Sequence, residues 1–400
     1  MHTNQSTLPP ASFPVMPMKE VARLVKRNFN RTKHGGIPQS VILLGSPGTG
    51  KTYVFTARQC LPTWYADYLT DSTGTLVTPD DICVMVIRVA EKDGQELAGP
   101  GCPFEDEEGN FFFRFSRAPT LTDMAEARKP DGNPYRYFII VLDEISSSTA
   151  DTQKVIANML HSTDRTLGGD KLPLGCWVGG TGNMPADGAG ANRLLAHLVD
   201  RPKIVRVEFE INGWIDDFAV PNDICPIVIE FMRQHWSDVI VGTPPVDYGN
   251  YCTGRSMTEA SYDVAALIAE KDFNGTVPSW AEADFASNIG CKAARLLSDF
   301  IEQAGEVANP QDVFANPESA NVSDNIGFQY ITASMALGAV TSMSEATAAL
   351  TYVMRLRTDL IVSLGVKLHD MLARPEFTDA IITSPVWMKF QQKYGEYLKD

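Results

Sequence analysis

The chain has 400 residues and a formal net charge of −15, from 34 basic and 49 acidic side chains. This length favours two or three domains, and the 44% of apolar residues is enough to build packed cores, which excludes wholesale disorder. The acidic balance argues against a protein whose main task is to coat nucleic acid, so any DNA contact would need a local basic patch.

The seven cysteines are scattered along the chain, are odd in number and include no CxxC pair. This pattern predicts a reducing compartment, with no disulfide framework and no zinc site. The first residues lack the basic start and apolar core of a secretory signal, and no apolar run approaches the roughly 18–20 residues that cross a bilayer. We therefore expect a cytoplasmic protein without a membrane partner.

The predicted elements follow a flexible, Pro/Ser/Thr-rich arm over residues 1–17. A helical pattern covers 18–30, and the short apolar runs after it are typical of buried strands. These runs are 41–44, 82–89, 138–142, 176–180 and 204–209. Because the gaps between them have room for helices, we predict an α/β core over 18–212, with a five-stranded parallel sheet between helices.

Residues 91–119 interrupt this core with an irregular, acidic and aromatic segment, which we predict to be a hairpin excursion. After residue 213 the apolar spacing becomes helical. The predicted helices are 223–237, 256–271, 281–304, 328–340, 344–364 and 386–398. We divide this region into an α-helical lid over 213–305 and a C-terminal helical extension over 306–400.

The first chemical motif is GSPGTGKT, residues 45–52, directly after the apolar run 41–44. It matches the pattern G-x-x-x-x-G-K-[ST], in which a glycine-rich turn and the start of a helix cradle phosphate groups. Lys51 is expected to reach the β- and γ-phosphates, and the Thr52 hydroxyl is expected to bind Mg²⁺. The residues predicted to bind ATP are Gly45, Ser46, Pro47, Gly48, Thr49, Gly50, Lys51 and Thr52.

Two more motifs lie at the ends of later strands. Asp143 and Glu144 follow the run 138–142, and ligands of an open α/β sheet bind at that carboxyl edge. We expect Asp143 to hold ATP-bound Mg²⁺ and Glu144 to polarise the attacking water. The run 176–180 leads to Thr181-Gly-Asn183, where we expect Asn183, rather than Thr181, to hold that water.

The motifs and their order resemble those of AAA+ ATPases, and more narrowly the MoxR-like branch, which includes versions encoded by bacteria and bacteriophages. The matching segments are GSPGTGKT, VLDEIS, DRTLGGDKLPLGCWVGGTGN, ANRLLAHLVDRPKIVRVEFEINGWIDDFA and YCTGRSMTEASYDVAALI. The resemblance implies a ring of identical subunits, usually a hexamer, with Mg·ATP bound between protomers. It also implies a remodelled protein substrate or a partner of the von Willebrand A type.

The resemblance further implies an arginine that reaches the γ-phosphate of the neighbouring subunit. The best match is Arg201, although Pro202 replaces the usual Phe, and Arg193 is the second candidate. Arg255 matches a lid arginine that senses the γ-phosphate in its own subunit. A guanidinium suits both roles because it is permanently charged and binds phosphate oxygens with two parallel donors.

Two other functions stay open. One is a phage DNA-directed motor or loader for replication or packaging, which the acidic net charge disfavours. The other is a structural module that nucleotide locks with little turnover, which the intact Asp143–Glu144 pair disfavours. Contacts of Lys171 or of residues 111–113 with a partner also stay open, since a solvated turn and hairpin packing explain these residues equally well.

Overall fold

The computed structural model describes residues 13–31, 37–69, 76–185, 191–242, 249–270, 273–304, 309–372 and 383–395, together with residues 245, 307 and 381. The chain divides into two compact units. Unit 1 comprises residues 1–210 and 242–246, and unit 2 comprises residues 211–241 and 247–400. The division falls close to the predicted end of the core at residue 212. Unit 2 contains both the predicted lid and the predicted extension, whose separation stays a prediction.

Unit 1 is built on a parallel sheet. The strands among its described residues are β1 (Val15–Pro17), β2 (Val41–Leu44), β3 (Ile82–Arg88), β4 (Gly101–Glu105), β5 (Phe111–Phe115), β6 (Tyr137–Asp143), β7 (Thr166–Leu167), β8 (Asp170–Lys171), β9 (Cys176–Gly182) and β10 (Lys203–Glu208). Six of them form one sheet in the order β1-β10-β2-β9-β6-β3, in which all neighbours are parallel. The α/β fold class and the five predicted strands are confirmed.

The sixth strand, β1, differs from the prediction, because it lies in the stretch that we assigned to a flexible arm. Its residues Val15–Pro17 pair with Arg206–Glu208 of β10, and the Arg206 N–H donates to Pro14 O at 2.9 Å. The strand forms through this pairing at the sheet edge, and a three-residue strand is too short for its own apolar alternation to reveal it. Residues 1–12 of the predicted arm lie outside the described residues.

Helices cover both faces of the sheet, as the α/β class requires. The helices among the described residues of unit 1 are α1 (Met18–Phe29), α2 (Lys51–Thr56), α3 (Leu61–Ala66), α4 (Gly94–Ala98), α5 (Pro119–Glu126), α6 (Ala150–Met159) and α7 (Ala196–Val199). Alternate residues of one strand point to opposite faces. Ile140 and Leu142 therefore join one hydrophobic cluster, while Ile139 and Val141 join the other. This double burial explains why the central strands are apolar throughout.

A partly buried arginine holds the beginning of β9 in place. The Arg165 guanidinium donates to the backbone carbonyls of His161 at 3.1 Å, Cys176 at 2.9 Å and Pro38 at 2.9 Å. Burial lowers the pKa of Arg165, and burial raises the pKa of the Cys176 thiol to about 12. The three carbonyls satisfy most of the guanidinium donors, so this side chain ties the segment before β9 to the sheet.

The predicted hairpin excursion is present. Strands β4 and β5 pair in antiparallel fashion, with Phe104 opposite Phe112 and their ring centroids 6.5 Å apart. Phe111 and Phe115 are largely exposed, at 75% and 72%. The hairpin therefore keeps much of its aromatic surface outside the hydrophobic clusters of unit 1.

Unit 2 is helical. Its described helices are α8 (Ile211–Trp214), which a π-helical turn (Ile215–Ala219) follows, α9 (Pro226–Val239), α10 (Gly254–Ala269), α11 (Ser279–Ile289), α12 (Cys291–Gln303), α13 (Pro310–Ala315), α14 (Ile326–Gly338), α15 (Met343–Val353), α16 (Thr358–Ser363), α17 (Gly365–Leu372) and α18 (Pro385–Tyr394). No helix in the described part of the chain is both long enough and apolar enough to span a bilayer.

Two predicted helices of unit 2 are each broken in the structure. The predicted helix 281–304 is interrupted at Gly290, whose φ is +80° and whose position would place a Cβ 2.3 Å from Asn250 O. Apolar side chains are buried on both sides of this break, Phe285 and Ile289 in α11 and Leu297 and Ile301 in α12, and the continuing apolar pattern hid it. The predicted helix 344–364 is likewise divided, into α15 and α16.

Candidate functional site

The three sequence motifs meet at one edge of the sheet because β2, β9 and β6 are adjacent and parallel. In the sheet register Leu44 pairs with Gly182, and Leu142 pairs with Gly180. The segments that follow these strands therefore leave the sheet side by side. The site consists of the phosphate loop after β2, the carboxylates at the end of β6 and the amide after β9.

The loop from Gly45 to Thr52 has the backbone geometry of an anion cradle. Gly45 has a φ of +152°, and a Cβ there would lie 2.3 Å from Val207 O, so only glycine fits. Gly48 and Gly50 also have positive φ, and Gly50 precedes the first residue of α2. Within the described part of the chain, no residue accepts a hydrogen bond from the N–H of Gly48, Gly50 or Thr52. These donors are available to phosphate oxygens.

Lys51 places its charge at the mouth of this loop. The side chain is buried, and its Nζ donates to Gly45 O and Ser46 O, both at 2.7 Å. The same nitrogen donates to Asn183 Oδ1 at 3.3 Å. The ammonium and the amide after β9 therefore face the same point, as expected for two groups that contact one terminal phosphate.

Thr52 and Asp143 form a pair of oxygen donors beside the lysine. The Thr52 hydroxyl donates to Asp143 Oδ1 at 2.9 Å. Carboxylate and hydroxyl oxygens suit Mg²⁺, which binds through one or two protein oxygens together with phosphates and water. No group of three or more His, Cys, Asp or Glu side chains that could hold a metal is present among the described residues. The donor set thus fits Mg²⁺ carried by a nucleotide.

Thr181 contacts both acidic residues of the site. Its hydroxyl donates to Asp143 Oδ1, and it accepts from the backbone N–H of Glu144 at 3.3 Å. Glu144 is exposed and has a φ of 58° and a ψ of 40°. This left-handed conformation is uncommon for a residue other than glycine, and such strain often occurs at functional sites. The sequence suggested Thr181 only as a weaker alternative to Asn183; the structure gives it different contacts.

Ser146 is the residue of the site that sequence reasoning missed. Its side chain is buried, and its Oγ accepts from the Asn183 N–H at 2.8 Å. Its carbonyl accepts from the Asn192 N–H at 2.6 Å. A Cβ at position 182 would lie 2.9 Å from Ser146 Oγ, so Gly182 permits this approach. A serine after Asp-Glu is a weak signal, and its partners depend on the register between β6 and β9.

The three predicted arginines have different environments. Arg193 is exposed, and no described residue accepts a hydrogen bond from it or pairs with it. Arg201 is partly buried and donates to Ala157 O and to Asn158 Oδ1, the latter at 3.1 Å. Arg255 is exposed in the first turn of α10, in unit 2. Roles for these arginines at the nucleotide stay predictions.

We expect Thr181→Val to lower kcat for ATP hydrolysis about 10- to 100-fold, with little change in ATP affinity. The valine keeps the volume but removes a hydrogen bond to a charged group, which contributes about 1.5–3 kcal/mol. Steady-state kinetics and nucleotide titration check this result, and Thr181→Ser is the matched control that should restore kcat. Equal losses of kcat and ATP affinity in Thr181→Val would contradict the expectation.

Known structures are similar to this chain only at low identity. A RuvB mutant of Thermotoga maritima is 13% identical, with a TM-score of 0.36 over 94% of this chain and 87% of that one. NtrX from Brucella abortus in complex with ADP is 14% identical, with a TM-score of 0.35 over 89% and 67%. Closed-state Hsp104 with ATPγS and FITC-casein is 14% identical, with a TM-score of 0.30 over 52% and 36%.

No protein-family model and no curated protein matches the chain. The three TM-scores are below 0.5, so they do not establish a family. The fold follows from the order and direction of the chain's own strands, and the chemistry of the site follows from its own contacts.

Proposed function

We propose that the chain is an Mg²⁺-dependent ATPase of the AAA+ type that resembles the MoxR-like branch. The observation that carries the proposal is the contact of Lys51 with Asn183, next to the pair formed by Thr52 and Asp143. A phosphate-binding lysine, two oxygen donors for a cation and a polar amide thus meet at one sheet edge. A loop that merely turned the chain would not need this arrangement.

Each residue of the site has a distinct task in this proposal. The backbone N–H groups of the loop and Lys51 hold the phosphates, and Thr52 with Asp143 would bind Mg²⁺. When bound, Mg²⁺ supplies positive charge that stabilises the phosphate oxygens. Glu144 accepts a proton from the attacking water, and Asn183 orients that water.

The wider proposal concerns assembly and work. We propose a ring of identical subunits, as the resemblance to hexameric relatives implies, in which an arginine of one subunit completes the site of the next. Arg201 is the first candidate and Arg193 the second, while Arg255 responds to the γ-phosphate from the lid. The energy of hydrolysis would remodel a partner protein or assembly, such as a von Willebrand A-type protein, in a bacterial or phage-infected cytoplasm.

We expect Lys51→Ala to weaken ATP binding about 10- to 100-fold, because a charge-assisted hydrogen bond contributes about 1.5–3 kcal/mol. Titration calorimetry with ATP measures this change directly. Lys154→Ala is the matched control, since Lys154 is exposed and pairs with Asp151 at 2.8 Å. Unchanged ATP affinity in Lys51→Ala, or no ATP binding by the native chain, would reject the proposed site.

A further inference from the structure

The outer face of α1 carries four cations in a chain that is acidic overall. Residues 1–66 contain eight lysines and arginines but one acidic residue, Glu20. Lys19, Arg23, Lys26 and Arg27 are all exposed. At about 100° per residue these four positions lie within roughly one quarter to one third of the helix circumference. We call this surface, formed by Lys19, Arg23, Lys26 and Arg27, the α1 basic face.

The cations of the α1 basic face have no ion-pair partner among the described residues, although the exposed Glu20 lies at the edge of this face. No carboxylate in the described part of the chain forms an ion pair with any of its four cations. Lys26 instead lies over the ring of Trp64, with its Nζ 5.3 Å from the ring centroid. Unpaired surface cations on one helix face are the electrostatic footprint of a polyanion-binding surface.

A neighbouring lysine indicates the same positive field. Lys203, at the start of β10, has a lowered pKa, first because of its burial and then because of the charges of Arg31 and Arg27. Both arginines thus act on Lys203 through space. The positive region extends beyond α1 to the adjoining end of the sheet.

The opposite face of α1 is already occupied, which limits what the basic face can bind. Val21, Val25 and Phe29 are buried in the hydrophobic core of unit 1. A helix that lies on a membrane needs its apolar face for lipid, so α1 cannot bind lipid in that way without leaving the core. The α1 basic face exposes no large apolar side chain of α1. Protein–protein interfaces depend on apolar and aromatic anchors and are depleted in lysine, so this face is poorly suited to a protein partner.

We propose that the α1 basic face binds the phosphodiester backbone of nucleic acid, without reading its sequence. Arginine and lysine are the side chains that make such backbone contacts, and four cations can neutralise about four phosphates. This inference does not depend on ATP hydrolysis. It identifies a local basic patch within a chain whose total charge hides it.

The test uses the full chain without nucleotide and a fluorescent 30-base-pair DNA duplex, with a single strand of the same length as a second probe. Anisotropy titrations between about 50 and 200 mM KCl should give a slope of log K against log salt near −3.6 for duplex DNA, from about −0.9 per neutralised phosphate. Arg23→Ala combined with Arg27→Ala should make this slope shallower by about 2.

Two matched variants separate a local contact from a change in net charge or in folding. Lys154→Ala combined with Arg295→Ala removes the same charge from exposed cations that pair with Asp151 and with Glu282 and Asp299, and should leave binding unchanged. Arg23→Lys combined with Arg27→Lys keeps the charge and should keep most of the slope. Equal weakening by both alanine pairs, no binding of either probe at low salt, or equally tight binding of poly-glutamate would overturn the proposal.

Discussion

Replacing Glu144 with Gln should leave ATP binding intact and lower the rate of hydrolysis about 10²- to 10⁴-fold, the usual contribution of a general base. The amide keeps the size of the carboxylate but does not accept a proton from water. Glu144 is suited to this task because it is exposed beside Asp143, and its backbone N–H is held by Thr181. Steady-state phosphate release and ATP titration measure the two parts of the prediction.

Glu107→Gln is the matched control, because Glu107 is an exposed residue in the turn between β4 and β5. It should retain the native rate. Because Glu144→Gln should bind ATP without hydrolysing it, the variant should also hold its bound substrate, which affinity purification can then recover. A native rate in Glu144→Gln would remove this residue from the proposed mechanism. Recovery of nucleic acid alone, without a protein, would favour the DNA-directed alternative over protein remodelling.

We expect Arg201→Gln to lower kcat for ATP hydrolysis by about 10³-fold or more. This is the lower end of the effect on kcat when an arginine that stabilises a transferred phosphoryl group is lost. Arg193→Gln should lower it less than tenfold. In the structure Arg201 donates to neutral acceptors, Ala157 O and Asn158 Oδ1. Phosphate oxygens are charged, and a guanidinium binds them more strongly than it binds neutral oxygens. We therefore expect Arg201 to leave these two acceptors for the γ-phosphate when the ATP site of a neighbouring subunit is present. Phosphate release by each variant, compared at equal subunit concentration, checks the order.

Mixing tests whether the arginine acts between subunits. Arg201→Gln and Glu144→Gln are each expected to be inactive alone. In a mixed ring, some sites combine an intact Glu144 with an intact Arg201 from the next subunit, so activity should return. Both hydrogen bonds of Arg201 come from its terminal Nη1, which the shorter glutamine does not reach, so the thermal midpoint of Arg201→Gln is measured as a control. An unchanged midpoint would show that loss of these contacts is not the cause of the lost activity. No recovery on mixing would mean that Arg201 does not act in trans, and a larger loss in Arg193→Gln would transfer the role to Arg193.

The chemistry of the candidate site was predictable because it is written in contiguous motifs. The segment from Gly45 to Thr52 follows a buried strand, and Asp143 ends another, so a parallel sheet places both at the same carboxyl edge. Their close approach follows from the strand order, in which only β9 separates β2 from β6. The contacts of Thr181 and Ser146 were not predictable in this way. The contacts of both side chains depend on the register of β9 against β6. Other serines and threonines near them in the sequence look the same to local sequence analysis, so the sequence does not single these two out.

In the secondary structure, too, some elements follow from the local sequence and others depend on contacts with residues distant along the chain. Apolar, β-branched runs predicted the five long strands, since burial on both sheet faces requires such residues. The edge strand β1 forms through its partner β10, and Gly290 ends a helix where the chain approaches Asn250. Neither contact has a counterpart in the local apolar pattern.

The sequence by itself determined the α/β class, the glycine-rich loop and the residue types of the candidate nucleotide site, because these follow from local spacing and side-chain chemistry. Only the tertiary structure decided which hydroxyls hold Asp143 and Glu144, and showed that the cations grouped on α1 form no ion pair with any described carboxylate. The physical reason is that hydrogen bonds and ion pairs form only between groups a few ångströms apart in space. Residues far apart along the chain reach those distances only after the sheet and its helices have packed.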